Sequence, residues 1–308
     1  MGRYVLRRLL QLVPVFLGTT FLIYFMVWAL PGDPLAGKCG DQACPPAFIE
    51  RMREEYGLDR SIVVQYFTYL GNLLRGDFGE NFRGQEVATL IANAYPVTIK
   101  LAIVALVIQA VIGLTAGVLT GLRPGGFLDN VVLTATLFLV AVPVFVTGYV
   151  LQSVLGLRLG LVPPTVPADP GFLDLVVPGY VLGSLSLAYV ARLTRTSIAE
   201  NLRADYVRTA TAKGLSRRRV VGVHLTRNSA IPVITFLGAD FGTLMGGAIV
   251  TEGIFNIRGI GGLIFGSIQR LDGVVVTGVV VLLVIVYLLA NLVVDVTYAL
   301  LDPRIRLD

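Results

Sequence analysis

Asp240 and Asp295 are carboxylic acids set inside long apolar runs, with the amides Gln109 and Asn291 in comparable positions. Keeping ionisable groups away from water is expensive, so such residues mark either a polar path through a membrane or a bonded contact inside a helix bundle. For Asp240, two residues after Gly238, both readings stand: it faces a water-filled path with Gly242 nearby, or it is hydrogen-bonded within a bundle. Glu252 closes the same apolar run and is placed to line an entrance, so Asp240, Gly242 and Glu252 are the candidate path residues. Asp295 reads as structural, paired with a loop arginine. Other chemistry is poorly provided for. The one histidine, His224, falls in a basic stretch and reads as a packing residue, which leaves no Ser/His/Asp arrangement. Gly32 to Cys39, GDPLAGKC, nearly spells a phosphate-binding loop, but it ends in Cys where Ser or Thr would hold magnesium, and no strand precedes it. Cys39 and Cys44 form either a local disulfide clip or two free thiols. With no further cysteine and the histidine far off, no metal site is expected.

The basic stretch is Asp205 to Pro232, DYVRTATAKGLSRRRVVGVHLTRNSAIP. Asp205 and Ser216 are residue types that cap helix N-termini. Tyr206 to Lys213 contains neither Pro nor Gly, so one short helix is expected there. Gly214 suits the left-handed residue that ends a helix, with Lys213 as a favourable cation before it and Leu215 as the apolar residue after it. Ser216 then opens a second helix through Arg217, Arg218 and Arg219. A helix, a sharp turn and a helix make a shape suited to a groove on another protein. The plainer alternative is a solvated basic loop, although the stretch is long for a mere connection.

These residues must be positioned by elements in a membrane. The 308 residues are 55% hydrophobic and 15% charged, and their mean hydropathy is +0.77. Runs of about twenty apolar residues cross a bilayer as helices. Six are expected, over 9–30, 97–121, 129–155, 173–194, 232–251 and 274–300, which makes an all-α membrane protein. The first run follows Arg3, Arg7 and Arg8, but it is too long for a signal peptide and ends in Pro31-Gly32-Asp33-Pro34 without a cleavage pattern. Lys/Arg bias sets the orientation. If the spans alternate, Arg3, Arg7, Arg8, Arg123, Arg304 and Arg306 share a side with the basic 195–231 loop, so both termini are expected in the cytoplasm. This bias accounts for the net charge of +5 without nucleic acid.

The expected domains are then 1–30, a tail and first span; 31–96, an extracytoplasmic and mostly helical insertion; and 97–308, five further spans with the basic cytoplasmic loop. Within the insertion, Phe48–Tyr56, Ile62–Leu74 and Gln85–Ala94 show helical spacing, with turns at Gly57-Leu58-Asp59 and Arg75 to Gly79. The prolines at 163, 164, 167 and 170 make the 156–172 loop irregular. Glu252 to Asp272 reads as a turn-helix at the outer mouth. Gly113, Gly117 and Gly121, and likewise Gly238, Gly242 and Gly246, form stripes at four-residue spacing that favour close helix packing.

The 205–232 stretch resembles the EAA loop of ABC importer permeases, with Gly214 as anchor and Arg208-Thr209-Ala210 standing where the general family has Glu-Ala-Ala. His224-Leu225-Thr226-Arg227-Asn228 replaces the consensus Ile-x-Leu-Pro, and the proline comes later, at Pro232. These departures resemble the dipeptide/oligopeptide subgroup. So do the opening RRLLQLVPVFLG, the segment YGLDRSIVVQYFTYLGNLLRGDFGENF, the run from Glu252 to Asp272 and the tail NLVVDVTYALLDPRIRLD, so that the resemblance covers nearly the whole chain. It implies the type I importer permease fold and binding-protein-dependent import of peptides. It implies contact with an ATPase through Asp205, Tyr206, Arg208 to Ala210, and Lys213 to Arg219. The implied partners are a second homologous permease chain, two cytoplasmic ATP-binding subunits that hold ATP and magnesium, and an extracytoplasmic substrate-binding protein. This chain would lie in the plasma membrane without a cofactor or ATPase site of its own. The rival is a secondary transporter or channel driven by an ion gradient, which would need an intramembrane relay or repeated broken helices.

Overall fold

A computed structural model of the chain describes residues 2–29, 45–55 and 57–301, and the side chains beyond Leu292 fall outside that description. Cys39, Cys44 and GDPLAGKC lie outside the described residues, as does the side chain of Asp295. Every named element in the described residues is helical. Five helices are long and apolar enough to cross a membrane, and the region of the expected third span is a sharply bent pair. The chain divides into two compact units, residues 1–98 with 256–308, and residues 99–255.

In the first unit, α1 (Gly2–Trp28) packs on α12 (Gly273–Leu301) and on α3 (Ile62–Leu73). The register is set by a few polar pegs. Trp28 Nε1 donates to Thr277 Oγ1 at 3.2 Å, Tyr66 Oη donates to the Leu17 carbonyl at 3.1 Å, and Tyr66 Oη shares a 2.8 Å bond with Thr20. Rings of Phe21, Tyr24, Tyr66 and Tyr69 meet at centroid distances of 5.2 to 5.9 Å, the spacing aromatic pairs favour. The expected insertion helices are present as α2 (Pro46–Glu55) and α3, separated by Gly57 at φ +63°. The 76–79 turn has φ +82° at both Gly76 and Gly79. Its continuation is tied to the start of α12 by Asp272, whose carboxylate accepts from the Phe82 and Val275 amides. α11 (Ile260–Gln269) is the expected turn-helix, and Thr98 Oγ1 accepts its first amide, Ile260 N–H, at 2.8 Å.

The second unit is organised around α7 (Val176–Asn201), which buries much of its length against α10 (Thr226–Phe255), α5 (Phe127–Ala141) and α6 (Val144–Leu151). The C-terminal half of α4 (Val87–Gly121) completes it. Methyl groups built on Gly113, Gly117 and Gly121 would stand 2.7, 2.4 and 2.7 Å from Val190, Thr194 and Ile198 side chains of α7. The first glycine stripe is therefore an internal seam. Gly238 and Gly246 of the second stripe have nothing within 4 Å of such a methyl.

Four expected boundaries move, for local reasons. No separate 85–94 helix exists: α4 runs unbroken through Pro96, as helices in membrane proteins allow when neighbours satisfy the freed carbonyl. The expected 129–155 span breaks at Val142–Pro143 and bends by 100°. Pro143 has no N–H and disfavours helix at the residue before it; here Val142 leaves the helical region, at φ −88° and ψ 122°. α6 passes into a π-helical segment, Gln152–Arg158. The expected 195–231 loop shrinks from both sides, because α7 continues to Asn201 and the helix beyond Gly214 starts at Arg217.

Candidate functional site: the 205–219 hairpin and a buried carboxylate

Helix α8 (Asp205–Ala212) is eight residues long, too short to be stable by propensity alone. Packing and closure hold it. Val207 and Ala210 face inward onto Ile198 of α7 and onto Val220 and Leu225, and Val118, Leu122, Leu202, Tyr206, Leu215 and Val221 border this cluster. Tyr206 Oη donates to Asn201 Oδ1 at 2.7 Å, clamping the helix to the end of α7. At the other end Gly214 has φ +74°. Its amide donates to the Thr211 carbonyl at 3.0 Å, and the Leu215 amide donates to the Ala210 carbonyl at 3.3 Å. This is the paired 5→2 and 6→1 bonding of a Schellman closure, with the apolar residue after the glycine packed back against the helix.

Neither expected cap bond forms. Asp205 is the first helical residue rather than the cap, and its carboxylate, 98% exposed, lies 3.9 Å from Arg208. Ser216 occupies the cap position, but its hydroxyl makes no cap bond. The second helix is also not a free-standing limb. Arg217–Arg219 (α9) passes through a π-helical turn, Val220–Leu225, directly into α10. His224 belongs to that turn rather than to a loop. The outward surface is thus Asp205, Arg208, Thr209, Lys213, Gly214, Ser216 and the three arginines, all exposed, over an apolar underside fused to α7 and α10. An open groove runs between the limbs, floored by Leu202, Val207, Leu215, Val220 and Val221 and edged by Arg208 and Arg217.

Asp240 is 7% exposed. Its Oδ2 accepts from Gln109 Nε2 of α4 at 2.7 Å, and its Oδ1 accepts from Ser186 Oγ of α7 at 2.9 Å. The carboxylate therefore pins three helices, the geometry of the bonded-bundle reading. Gln109 is the companion amide that the sequence singled out, whereas Ser186 carried no sequence signal. Gly242 is buried on the same helix, and Glu252 is fully buried. Asp240 and Glu252 are three turns apart along α10.

One pair was missed from the sequence. Asp129, 1% exposed at the start of α5, accepts from Arg195 Nη2 of α7 at 2.7 Å and bonds Arg195 Nε as well, making a two-pronged ion pair. The Gly125 amide also donates to it at 2.7 Å. The available signal was an acid and a base at the same-side ends of two expected spans, with Asp129 the first residue of its run.

Against this geometry the comparisons are consistent. Residues 113–307 match the family model described as the binding-protein-dependent transport system inner membrane component, and residues 1–102 match the N-terminal model for a membrane component of such systems. The chain belongs to this family of multi-pass inner-membrane permease components. It is 37% identical to the di/tripeptide transport system permease protein DppB of Pseudomonas aeruginosa, over 98% of both chains. It is 36% identical to a probable peptide ABC transporter permease protein, y4tP, of Sinorhizobium fredii, over 99% of this chain and all of the relative. It is also 37% identical to the glutathione transport system permease protein GsiC of Escherichia coli, over 99% of both.

Proposed function

We propose that this chain is the transmembrane permease subunit of an ATP-driven, binding-protein-dependent importer of short peptides. Support for the cargo class comes from the names of the relatives, two of which specify peptides and a third glutathione, itself a tripeptide. Support for the coupling role rests on one observation: α8 is a Schellman-closed helix with a charged outer face, seated on an apolar cluster shared with α7 and with the π-turn that leads into α10. A push on α8 is delivered to α7 through the Tyr206–Asn201 bond and Ile198, and to α10 through Val220 and Leu225. Asp205, Tyr206, Arg208, Thr209, Ala210 and Lys213 to Arg219 form the handle. Two cytoplasmic subunits bind ATP and magnesium and supply the push. A second, homologous permease completes the pore, and an extracytoplasmic binding protein delivers cargo. Six spans, both termini in the cytoplasm and the 31–96 insertion outside complete the reading. Asp240, Gly242 and Glu252 lie along the path that cargo follows. Such coupling requires a bundle with two states biased from both ends.

Family membership favours this reading over an ion-gradient transporter. The test is purification of the assembled complex and uptake in proteoliposomes. ATPase subunits should copurify, uptake should require ATP, and Gly214→Val should uncouple hydrolysis from uptake. Uptake that survives Gly214→Val and ends when the proton gradient is collapsed would sink the proposal.

A further inference from the structure

Asp240 is a carboxylate inside the apolar helix Arg217–Gly246, and among the described residues its polar partners are two neutral groups, Gln109 and Ser186. A buried carboxylate without a cation is costly, and two hydrogen bonds fill only half of its acceptor capacity. The second observation is on Gln109. This residue is 0% exposed; its amide nitrogen is committed to Asp240, and its Oε1 has no hydrogen-bond partner among the described residues. The amide cannot be reversed, because that would set its oxygen against the carboxylate. Two unsaturated acceptors, one of them charged, therefore lie side by side with no donor to serve both.

The surroundings narrow what fits. Ser186 is half-buried and forms the outer edge of the site. One turn from Ser186 and one turn from Asp240, the rings of Tyr189 and Phe236 meet at 4.5 Å. Acceptors beside aromatic rings suit a compact cation with several N–H donors. We propose that Asp240, Gln109 Oε1 and Ser186 form a transient site for a primary ammonium group, namely the free amino terminus of a peptide in transit. The ammonium donates to Asp240 and Gln109 Oε1 as the serine hydroxyl turns away from Oδ1. The identity of the cargo rests on the peptide reading above; the ammonium chemistry rests on the site alone.

The test uses the whole importer, with partner permease, ATPase subunits and binding protein, in proteoliposomes fed a mixed library of unmodified di- and tripeptides, with uptake read by mass spectrometry. Methylammonium, which carries the group and little else, should inhibit wild-type uptake competitively. Asp240→Asn keeps the bond from Gln109 and supplies its own N–H, so the ATPase subunits should still copurify. Uptake should nevertheless fall about tenfold, the scale of a lost charged hydrogen bond, and methylammonium should no longer inhibit. Uptake by Asp240→Asn equal to wild type, or methylammonium inhibition that is the same in both, overturns the site. Wild-type uptake that collapses when Na⁺ and K⁺ are replaced by N-methylglucamine assigns it to an inorganic cation and also overturns the proposal. If the wild type imports no peptide, the peptide reading has failed instead. The site is then judged by thermal protection of the purified complex: methylammonium should protect wild type but not Asp240→Asn, and protection of neither or of both overturns it.

Discussion

Gly214 offers the sharpest test of how the hairpin is held. Its φ is +74°, and a methyl built on it meets no atom within 4 Å. Any penalty of substitution is therefore conformational and not steric. A left-handed alanine costs about 1–2 kcal/mol, which lowers the ratio of closed to opened hairpin by roughly five- to thirtyfold. Asparagine visits this region more readily and should cost less, whereas β-branched valine should cost most. Packing on Ile198, Val220 and Leu225 is untouched by any of the three, so α8 should loosen first at its C-terminal end. Hydrogen exchange at Gly214 and Leu215, whose amides make the two closing bonds, reads that opening directly. Protection should fall in the order Gly, Asn, Ala, Val, and retention of the ATPase subunits should follow the same order. Equal protection in all four proteins, or full protection with valine, would refute a left-handed closure as the element that holds α8.

The two glycine stripes should respond oppositely to alanine. Gly117→Ala drives a methyl to 2.4 Å from Thr194 Cβ and 2.6 Å from the Ala191 carbonyl, and should lower stability by about 1–3 kcal/mol in thermal melts of the purified complex. Gly238→Ala meets nothing and should be neutral or, by helix propensity, raise it by up to about 1 kcal/mol. Asp129→Ala strands Arg195 and should destabilise by about 3 kcal/mol, somewhat reduced because the arginine side chain is 25% exposed; Arg195→Lys, which cannot make the two-pronged contact, should recover only part of it. Leu271 sits left-handed at φ 56° at the end of α11, 60% exposed, so Leu271→Gly should raise stability by about 1 kcal/mol in the same melts.

Much of this protein was legible in its residue order, because the signals concerned are local. Apolar run length sets where helices cross a bilayer, and Gly214 between Lys213 and Leu215 announced its left-handed turn before any contact was known. Pro143 carried only a partial signal: a proline disfavours helix in the residue before it, and Val142 leaves the helix, yet Pro96 lies inside unbroken α4, so which proline breaks a span was decided by the fold. Asp240 and Gln109 stood out because polar groups in apolar runs are costly wherever they end up. Their pairing across 131 residues, the addition of Ser186 and the Asp129–Arg195 ion pair were decided by tertiary structure alone. So was the fate of the glycine stripes: spacing made both smooth, but only the fold set α7 against one and left open space beside Gly238 and Gly246. The hairpin's second limb shows the same division. Ser216-Arg217-Arg218-Arg219 starts a helix by local rules, yet its fusion through a π-turn into α10 depends on Val220 and Leu225 finding a common apolar surface with Val207 and Ile198. Periodicity reports which face of a helix is apolar; it carries no information about which neighbour will cover that face, because the free energy of burial is paid by area and not by sequence position.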